Sequence, residues 1–233
     1  MIHIKPRAFL FDFDGVICDT EKLHYLSTLK TVGKHNMSLE AEYYFEKLFG
    51  FDDRALFDHI YQMHGKKLDK KTLKQLMVEK NDEFMQLVET KIVYFDGVLA
   101  LIERLTLAKI PLAVVSGALS HEVDACLEKG NIKKYFLFSM CADHVRSSKP
   151  DPESYERAYV RMGSYVSDLS LQDCWVLEDS PIGIASAKAA GLPVIAITNS
   201  AKRENLTEAD HIIEHYSEIE IIFPSPRLDG ERG

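Results

Sequence analysis

Three short apolar runs in this chain each end on a polar side chain that the interior of a buried strand does not choose: Ala8-Phe-Leu-Phe-Asp12, Leu112-Ala-Val-Val-Ser116 and Cys174-Trp-Val-Leu-Glu178-Asp179. Runs that are apolar on both faces read as strands buried in a parallel sheet. Helical patterns separate them over residues 98–107, 121–130 and 151–162, the last with Asp151 as N-cap and Pro152 at the first helical position. A further strand-like run, 193–197, follows a helical stretch over 181–190 closed by Gly191. Strand and helix in alternation imply an α/β fold built on a doubly wound parallel sheet.

One segment breaks the alternation. Residues 20–91 read as amphipathic helices, for example 39–49, 55–64 and 72–88, with no buried strand among them, so they form an inserted helical domain. The core is then 1–19 joined to 92–233, with 224–233, rich in Pro, Gly and charge, as a frayed tail. The insert carries 12 basic and 12 acidic residues, which leaves the whole net charge of −8 on the core. That balance, with no basic stripe, argues against a nucleic-acid partner. No stretch approaches the roughly 20 apolar residues of a membrane span, and the first seven residues are too short and polar for a signal peptide. The expectation is a soluble cytoplasmic protein, a monomer, with no membrane partner. Its cysteines, Cys18, Cys126, Cys141 and Cys174, are dispersed in apolar surroundings and read as reduced and structural.

In an open α/β sheet, ligands bind beyond the carboxyl ends of the strands. Asp12, Ser116 and Asp179 all lie at such ends, and Gly15, just past Asp14, lets the chain turn while exposing backbone N–H groups. If Asp12, Asp14, Glu178 and Asp179 converge, each pair about 4 Å apart repels by roughly 4 kcal/mol at an effective dielectric near 20. A hard divalent cation resolves the conflict, and an all-oxygen site suits Mg²⁺ better than Zn²⁺. Lys149 adds one positive charge. A carboxylate beside a cation can attack phosphorus, which makes Asp12 the candidate nucleophile and Asp14 the candidate acid and base. Ser116, the Gly117 N–H and Lys149 would hold the equatorial oxygens of the transferring group.

Each element alone has an ordinary explanation. Asp-x-Asp-Gly suits a turn, Ser116 a turn hydroxyl, Lys149 a solvated loop, and Glu178-Asp179 a helix cap. The calcium-loop pattern fails, because its sixth and twelfth positions are Ile17 and Leu23. Phosphate-binding, dinucleotide and nucleophile-elbow glycine motifs are absent, and the nine histidines show no metal-ligand spacing. Order and placement at strand ends are what make the set specific.

Asp12-Phe-Asp14-Gly-Val, Ser116-Gly, Ser148-Lys149-Pro150-Asp-Pro and Glu178-Asp179-Ser-Pro-Ile-Gly-Ile resemble the four motifs of the haloacid dehalogenase-like hydrolase superfamily, over nearly the whole chain. The likeness is to the branch of β-phosphoglucomutases and sugar-phosphate phosphatases. It implies a Rossmann-like core with an inserted all-α cap, 20–91. It also implies Mg²⁺ on the Asp12 carboxylate, the Asp14 backbone carbonyl and Asp179, with Glu178 as an outer or variable ligand. Three cap segments, around His24, around Arg54 and around Lys80-Asn81, resemble segments whose His, Arg, Lys and Asn face the substrate in β-phosphoglucomutases. By that likeness, Arg54 and Lys80 would supply missing positive charge when the cap closes. The alternative is a packed His24 and solvated helix charges at Arg54 and Lys80. Mutases of the branch carry a Ser-Lys pair after the second-motif serine, where this chain has Ala118 and Leu119, which favours hydrolysis. Asp14 argues against the dehalogenases. The expected activity is Mg²⁺-dependent hydrolysis of a small phosphorylated metabolite, a sugar phosphate. A phosphomutase and a catalytically silent metabolite-binding module are the alternatives.

Overall fold

The computed structural model describes residues 1–48, 51 and 53–222. The chain divides into two compact units, one of Met1–Ile17 with Tyr94–Gly233, the other of Cys18–Val93. The expected tail 224–233 lies outside the described residues, as do Phe49, Gly50 and Asp52.

Among the described residues the first unit holds eight strands: β1 (Ile2–Ile4), β2 (Ala8–Phe11), β3 (Leu112–Val115), β4 (Phe136–Met140), β5 (Cys174–Glu178), β6 (Val194–Ile197), β7 (His211–Ile213) and β8 (Ile219–Ile221). Six of them form one sheet in the order β4-β3-β2-β5-β6-β7, parallel throughout, while β1 pairs β8 in a separate parallel ribbon. β2 is the centre, with β3 on one side and β5 on the other, so the strand order reverses there and its carboxyl end is the switch point where ligands bind. Phe9, Leu10 and Phe11 are fully buried, as a central strand between two helix layers requires.

Helices return the chain between strands. Val98–Leu107 buries Val98, Leu101, Ile102 and Leu105, the i, i+3, i+4, i+7 stripe of one face. Pro181–Ala189 starts at Ser180, whose hydroxyl accepts from the Gly183 N–H at 3.1 Å, with Pro181 at the first position. In Glu153–Met162 the capping residue is Pro152, one position beyond the expected Asp151, whose carboxylate accepts from the Glu153 N–H at 3.0 Å.

The second unit holds helices over Glu21–Lys34, Ala41–Tyr43, Asp53–Met63 and Lys70–Lys91. The helix expected over 39–49 is one turn of α-helix running into a π-helical stretch, Tyr44–Leu48, which a pattern of period 3.6 does not reveal. Asp69 caps Lys70–Lys91, accepting from the N–H groups of Lys71 and Thr72 at 2.9 Å each. Val32, Leu48, Leu56, Phe57, Ile60 and Leu76 pack into this unit's own core. No described helix is long and apolar enough to cross a membrane, and all four cysteines are buried and form no disulfide among the described residues.

Candidate active site

Asp12 follows β2 directly, its N–H bonded to the Leu177 carbonyl of β5 at 2.9 Å. This bond brings the end of the central strand beside Glu178 and Asp179. Ligand-type oxygens of Asp12, Glu178 and Asp179 all lie within 4.8 Å of one another, and the three residues are buried. Lys149 reaches into the group, donating to Asp12 Oδ1 at 2.6 Å and to Glu178 Oε1 at 2.7 Å. Its ammonium also lies 4.9 Å from the ring centroid of Tyr155, whose hydroxyl donates to Glu178 Oε1 at 2.8 Å.

The electrostatics follow from too many carboxylates out of water. Burial and then Glu178 push Asp12 well above the ordinary carboxylate range, against the pull of Lys149. Burial and Glu178 likewise push Asp179 up to about 7, opposed by a hydrogen bond from Ser200. Burial draws Lys149 down, but Asp12 and Glu178 outweigh it and hold the ammonium well above the usual lysine value. Such an all-oxygen set, with Asp12 and Asp179 raised first by burial and then by the neighbouring carboxylates, fits a hard cation such as Mg²⁺.

Within this group Glu178 differs from Asp12 and Asp179. Its Oε1 already accepts from Lys149 and Tyr155. Its Oε2 accepts from the Asp179 N–H at 3.0 Å, the Ser180 N–H at 3.3 Å and the Ser180 hydroxyl at 3.1 Å. With both oxygens accepting hydrogen bonds, Glu178 braces the loop and the lysine in this arrangement, while its ligand-type oxygen still lies within 4.8 Å of those of Asp12 and Asp179. Gly183 makes room for it: a Cβ there would lie 1.8 Å from Oε1. The proline and glycine of the Glu-Asp-Ser-Pro-Ile-Gly segment thus serve the helix start and the carboxylate above it.

Asp14 is half-buried, and its carboxylate lies outside the trio. Its Oδ2 accepts from the Ser116 hydroxyl at 3.3 Å, and that hydroxyl accepts from the Ala118 N–H at 2.9 Å. Ser116 is buried, whereas Gly117 beside it is exposed. Gly15 adopts φ +81°, with its would-be Cβ against Asp179. Asp12, Asp14, Gly15, Ser116, Lys149, Glu178 and Asp179 therefore meet at one end of the sheet.

In the helical unit, His24 and Lys80 come together. Lys80 Nζ lies 3.0 Å from His24 Nδ1 and donates to Asp53 Oδ1 at 2.6 Å, while the His24 ring stacks on Phe84 at 4.5 Å. Burial and then Lys80 hold His24 well below the usual histidine range, so its Nδ1 is a neutral acceptor. Arg54 is not part of this cluster. It is exposed and lines a groove of about 740 Å³ with Asp58, Asp69, Lys70, Lys74 and Met77. The acid beside it in sequence, Asp53, is the residue that meets Lys80. Asn81 is half-buried on the same helix as Lys80.

Tyr155, Ser180, Gly183, Asn199 and Ser200 were not legible as site residues. Tyr155 sits on a helix face that reads as core, and only its hydroxyl marks it out. A second group, Cys141, Asp143 and His144, also brings ligand-type atoms within 4.8 Å. Its atoms tie a helix end instead: His144 Nδ1 accepts from the Cys141 N–H at 3.0 Å, and Asp143 accepts from the Ser120 N–H and hydroxyl.

Comparison with known proteins identifies the family. The profile of the haloacid dehalogenase-like hydrolases matches residues 9–197. Hexitol phosphatase A of Escherichia coli is 26% identical over 229 residues, covering 94% of this chain and 95% of that protein. A CBBY-like protein of Arabidopsis thaliana is 31% identical over 227 residues, 90% of this chain and 69% of the relative. Among solved structures, CbbY from Rhodobacter sphaeroides in complex with phosphate superposes with a TM-score of 0.79 at 25% identity, covering 91% of this chain and 96% of that one. The chain belongs to the haloacid dehalogenase-like hydrolase family, in the branch of the β-phosphoglucomutases and sugar-phosphate phosphatases.

Proposed function

We propose that this chain is a Mg²⁺-dependent phosphatase that hydrolyses a small phosphorylated metabolite, a sugar or sugar-alcohol phosphate, through an aspartyl phosphate on Asp12. The observation that carries the reading is the meeting of Asp12 with Lys149 and Asp179 at the switch point of the sheet. The hexitol phosphatase among the relatives supports the substrate class.

Asp12, Asp179 and the Asp14 backbone carbonyl would hold the cation. Bound there, Mg²⁺ keeps the crowded carboxylates ionised and draws charge from the phosphoryl oxygens. Lys149 orients Asp12 through Oδ1 for attack on phosphorus. As the Asp12–phosphorus bond forms, the bond to the leaving oxygen breaks and Asp14 gives that oxygen its proton. Water then attacks the aspartyl phosphate, Asp14 takes the water's proton, and the bond from phosphorus to Asp12 breaks to release inorganic phosphate. Ser116, bonded to Asp14, and Lys149 hold the transferring group's oxygens. Asp14 is only half-buried, which suits a group that exchanges protons with both leaving group and water.

Hydrolysis is favoured over phosphomutase action because Ala118 and Leu119 offer no cation to a second phosphate. The test is a screen of phosphorylated sugars and sugar alcohols for Mg²⁺-dependent phosphate release, run with the wild type and Asp12→Asn. Release by the wild type alone is expected. Near-normal release by Asp12→Asn would remove the nucleophile assignment. Glucose 6-phosphate formed from β-glucose 1-phosphate with a bisphosphate primer, without free phosphate, would replace the phosphatase with a mutase. Absence of turnover across the screen would favour a silent binding module.

A further inference from the structure

The turn that carries Asp14 is held from outside the segment matched by the family profile. Asn199 and Tyr216 lie beyond its end at residue 197, in the loop after β6 and in the short helical turn after β7. The Asn199 side-chain amide donates to the Gly15 carbonyl at 2.7 Å and to the Tyr216 hydroxyl at 2.8 Å, and that hydroxyl donates to the Val16 carbonyl at 2.5 Å. Both amide protons of Asn199 and the one proton of Tyr216 are used, so the two side chains close a ring of hydrogen bonds on two consecutive carbonyls. Tyr216 is buried, at 2% exposure, and the intervals in sequence, 184 and 200 residues, make this a tertiary device rather than a local turn.

The Phe13 carbonyl, on the other side of Asp14, accepts from the N–H groups of Val16 and Ile17 at 3.3 and 2.8 Å. With the peptide planes before and after it fixed, the Asp14 peptide has little freedom to rotate. Gly15 cannot relax by a change of side chain either, because its φ is +81° and Asp179 fills the space where a Cβ would stand. The residue next to Asn199, Ser200, has its hydroxyl against the Asp179 carboxylate. One dipeptide leaving β6 therefore touches both acidic arms of the site.

We infer that Asn199 and Tyr216 are positioning residues that set the Asp14 turn against Asp179, and so tune divalent-cation binding and proton transfer without touching the substrate. The inference rests on the phosphatase reading above. Outer contacts of this kind typically alter metal affinity or activity by about 10- to 100-fold when removed, far more than a remote packing change does.

The test compares Tyr216→Phe, which keeps the buried ring and removes only the hydroxyl, with Asn199→Leu, which keeps the volume and removes both donors. Mn²⁺ binding to each purified protein, followed by electron paramagnetic resonance, reads the cation site independently of turnover. Steady-state kinetics on the best substrate of the screen read kcat and KM separately. Mn²⁺ binding weaker by about 10-fold and a similar fall in kcat, with KM within about twofold, are expected for both. Asn199→Gln, which restores the amide, should recover part of the loss. Lower unfolding temperatures with Mn²⁺ affinity and kcat unchanged would reduce the pair to structural residues and overturn the inference alone. A wild type that neither binds Mn²⁺ nor releases phosphate would overturn the phosphatase reading and this inference with it.

Discussion

The Asp179 carboxylate occupies the space that a side chain at Gly15 would need: a Cβ built there would lie 1.7 Å from Oδ2 and 2.5 Å from the Ser200 hydroxyl. Glycine at this position therefore sets how closely the Asp14 turn approaches the end of β5. Gly15→Ala would strain the backbone by about 1–2 kcal/mol, since φ is +81°, and would also push Asp179 away. A displacement of about 1 Å in a reacting constellation can lower turnover about 100-fold. Turnover reduced by at least that factor is expected, with far-UV circular dichroism unchanged. Wild-type turnover in this variant would show that the approach is not needed.

The crowded carboxylates make metal binding and pH interdependent. Asp179 moves from 3.8 in its ordinary state to about 7 in the fold, and Asp12 moves the same way. A raised carboxyl means that the native state binds the proton more tightly. The resulting stability is fully present below about pH 4 and is lost as pH rises through 7. His24 acts oppositely below its ordinary value, because it is buried neutral. The clean measurement is therefore the difference in unfolding temperature with and without Mg²⁺ at each pH, in which His24 cancels. That increment should grow from pH 5.5 to 8, as the cation replaces protons the site would otherwise lack. An increment that stays flat across this range would contradict coordination by Asp12 and Asp179.

Tyr155 bears on both Lys149 and Glu178, and burial followed by Glu178 keeps its hydroxyl protonated well above the usual tyrosine value. Tyr155→Phe retains the ring under the ammonium and removes one donor from a fully buried carboxylate. Leaving such an acceptor short of a partner costs about 1–3 kcal/mol. Urea unfolding should show a loss in that range, with kcat lowered several-fold through the freer Lys149. Unchanged stability would mean that Ser180 and the neighbouring N–H groups satisfy Glu178 alone.

What the sequence revealed divides along physical lines. β2, β3, β5 and β6 were legible to within one or two residues because they are buried on both faces and stop at polar side chains. The same stops marked Asp12, Ser116 and Asp179 as neighbours at one sheet end. β4 escaped notice because Phe136–Met140 at the sheet edge alternates between buried and partly exposed residues, and β1, β7 and β8 because three residues carry too little pattern. The bracing of Glu178 and the hold of Asn199 on Gly15 were out of reach for another reason. Both join residues far apart in the chain through single side-chain donors, which leave no periodicity behind. The pairing of Lys80 with Asp53 fits the same account: nothing in the sequence decides which of the adjacent residues Asp53 and Arg54 meets Lys80.

Asp53, and not Arg54, holds Lys80, and the two can be separated by stability. The Lys80 side chain is only 4% exposed, so Asp53→Ala would leave a nearly buried ammonium with a neutral imidazole and the edge of the Phe84 environment as its company. Breaking one side of a buried ion pair costs about 3–5 kcal/mol, and the lower end suits an aspartate that is itself partly exposed. Arg54→Ala, at an exposed helical position, should stay within about 0.5 kcal/mol of the wild type. Replacing both members of the pair, Asp53→Ala with Lys80→Met, removes the stranded charge and should recover most of the loss, because the penalty lies in the unpaired ammonium rather than in the missing attraction. The helical unit has its own core, so its unfolding is best followed by hydrogen exchange at amides of Asp53–Met63 and Lys70–Lys91. Equal losses in the Asp53 single and double variants would show that Lys80 depends on its hydrocarbon stem for its place in the core more than on its charge partner.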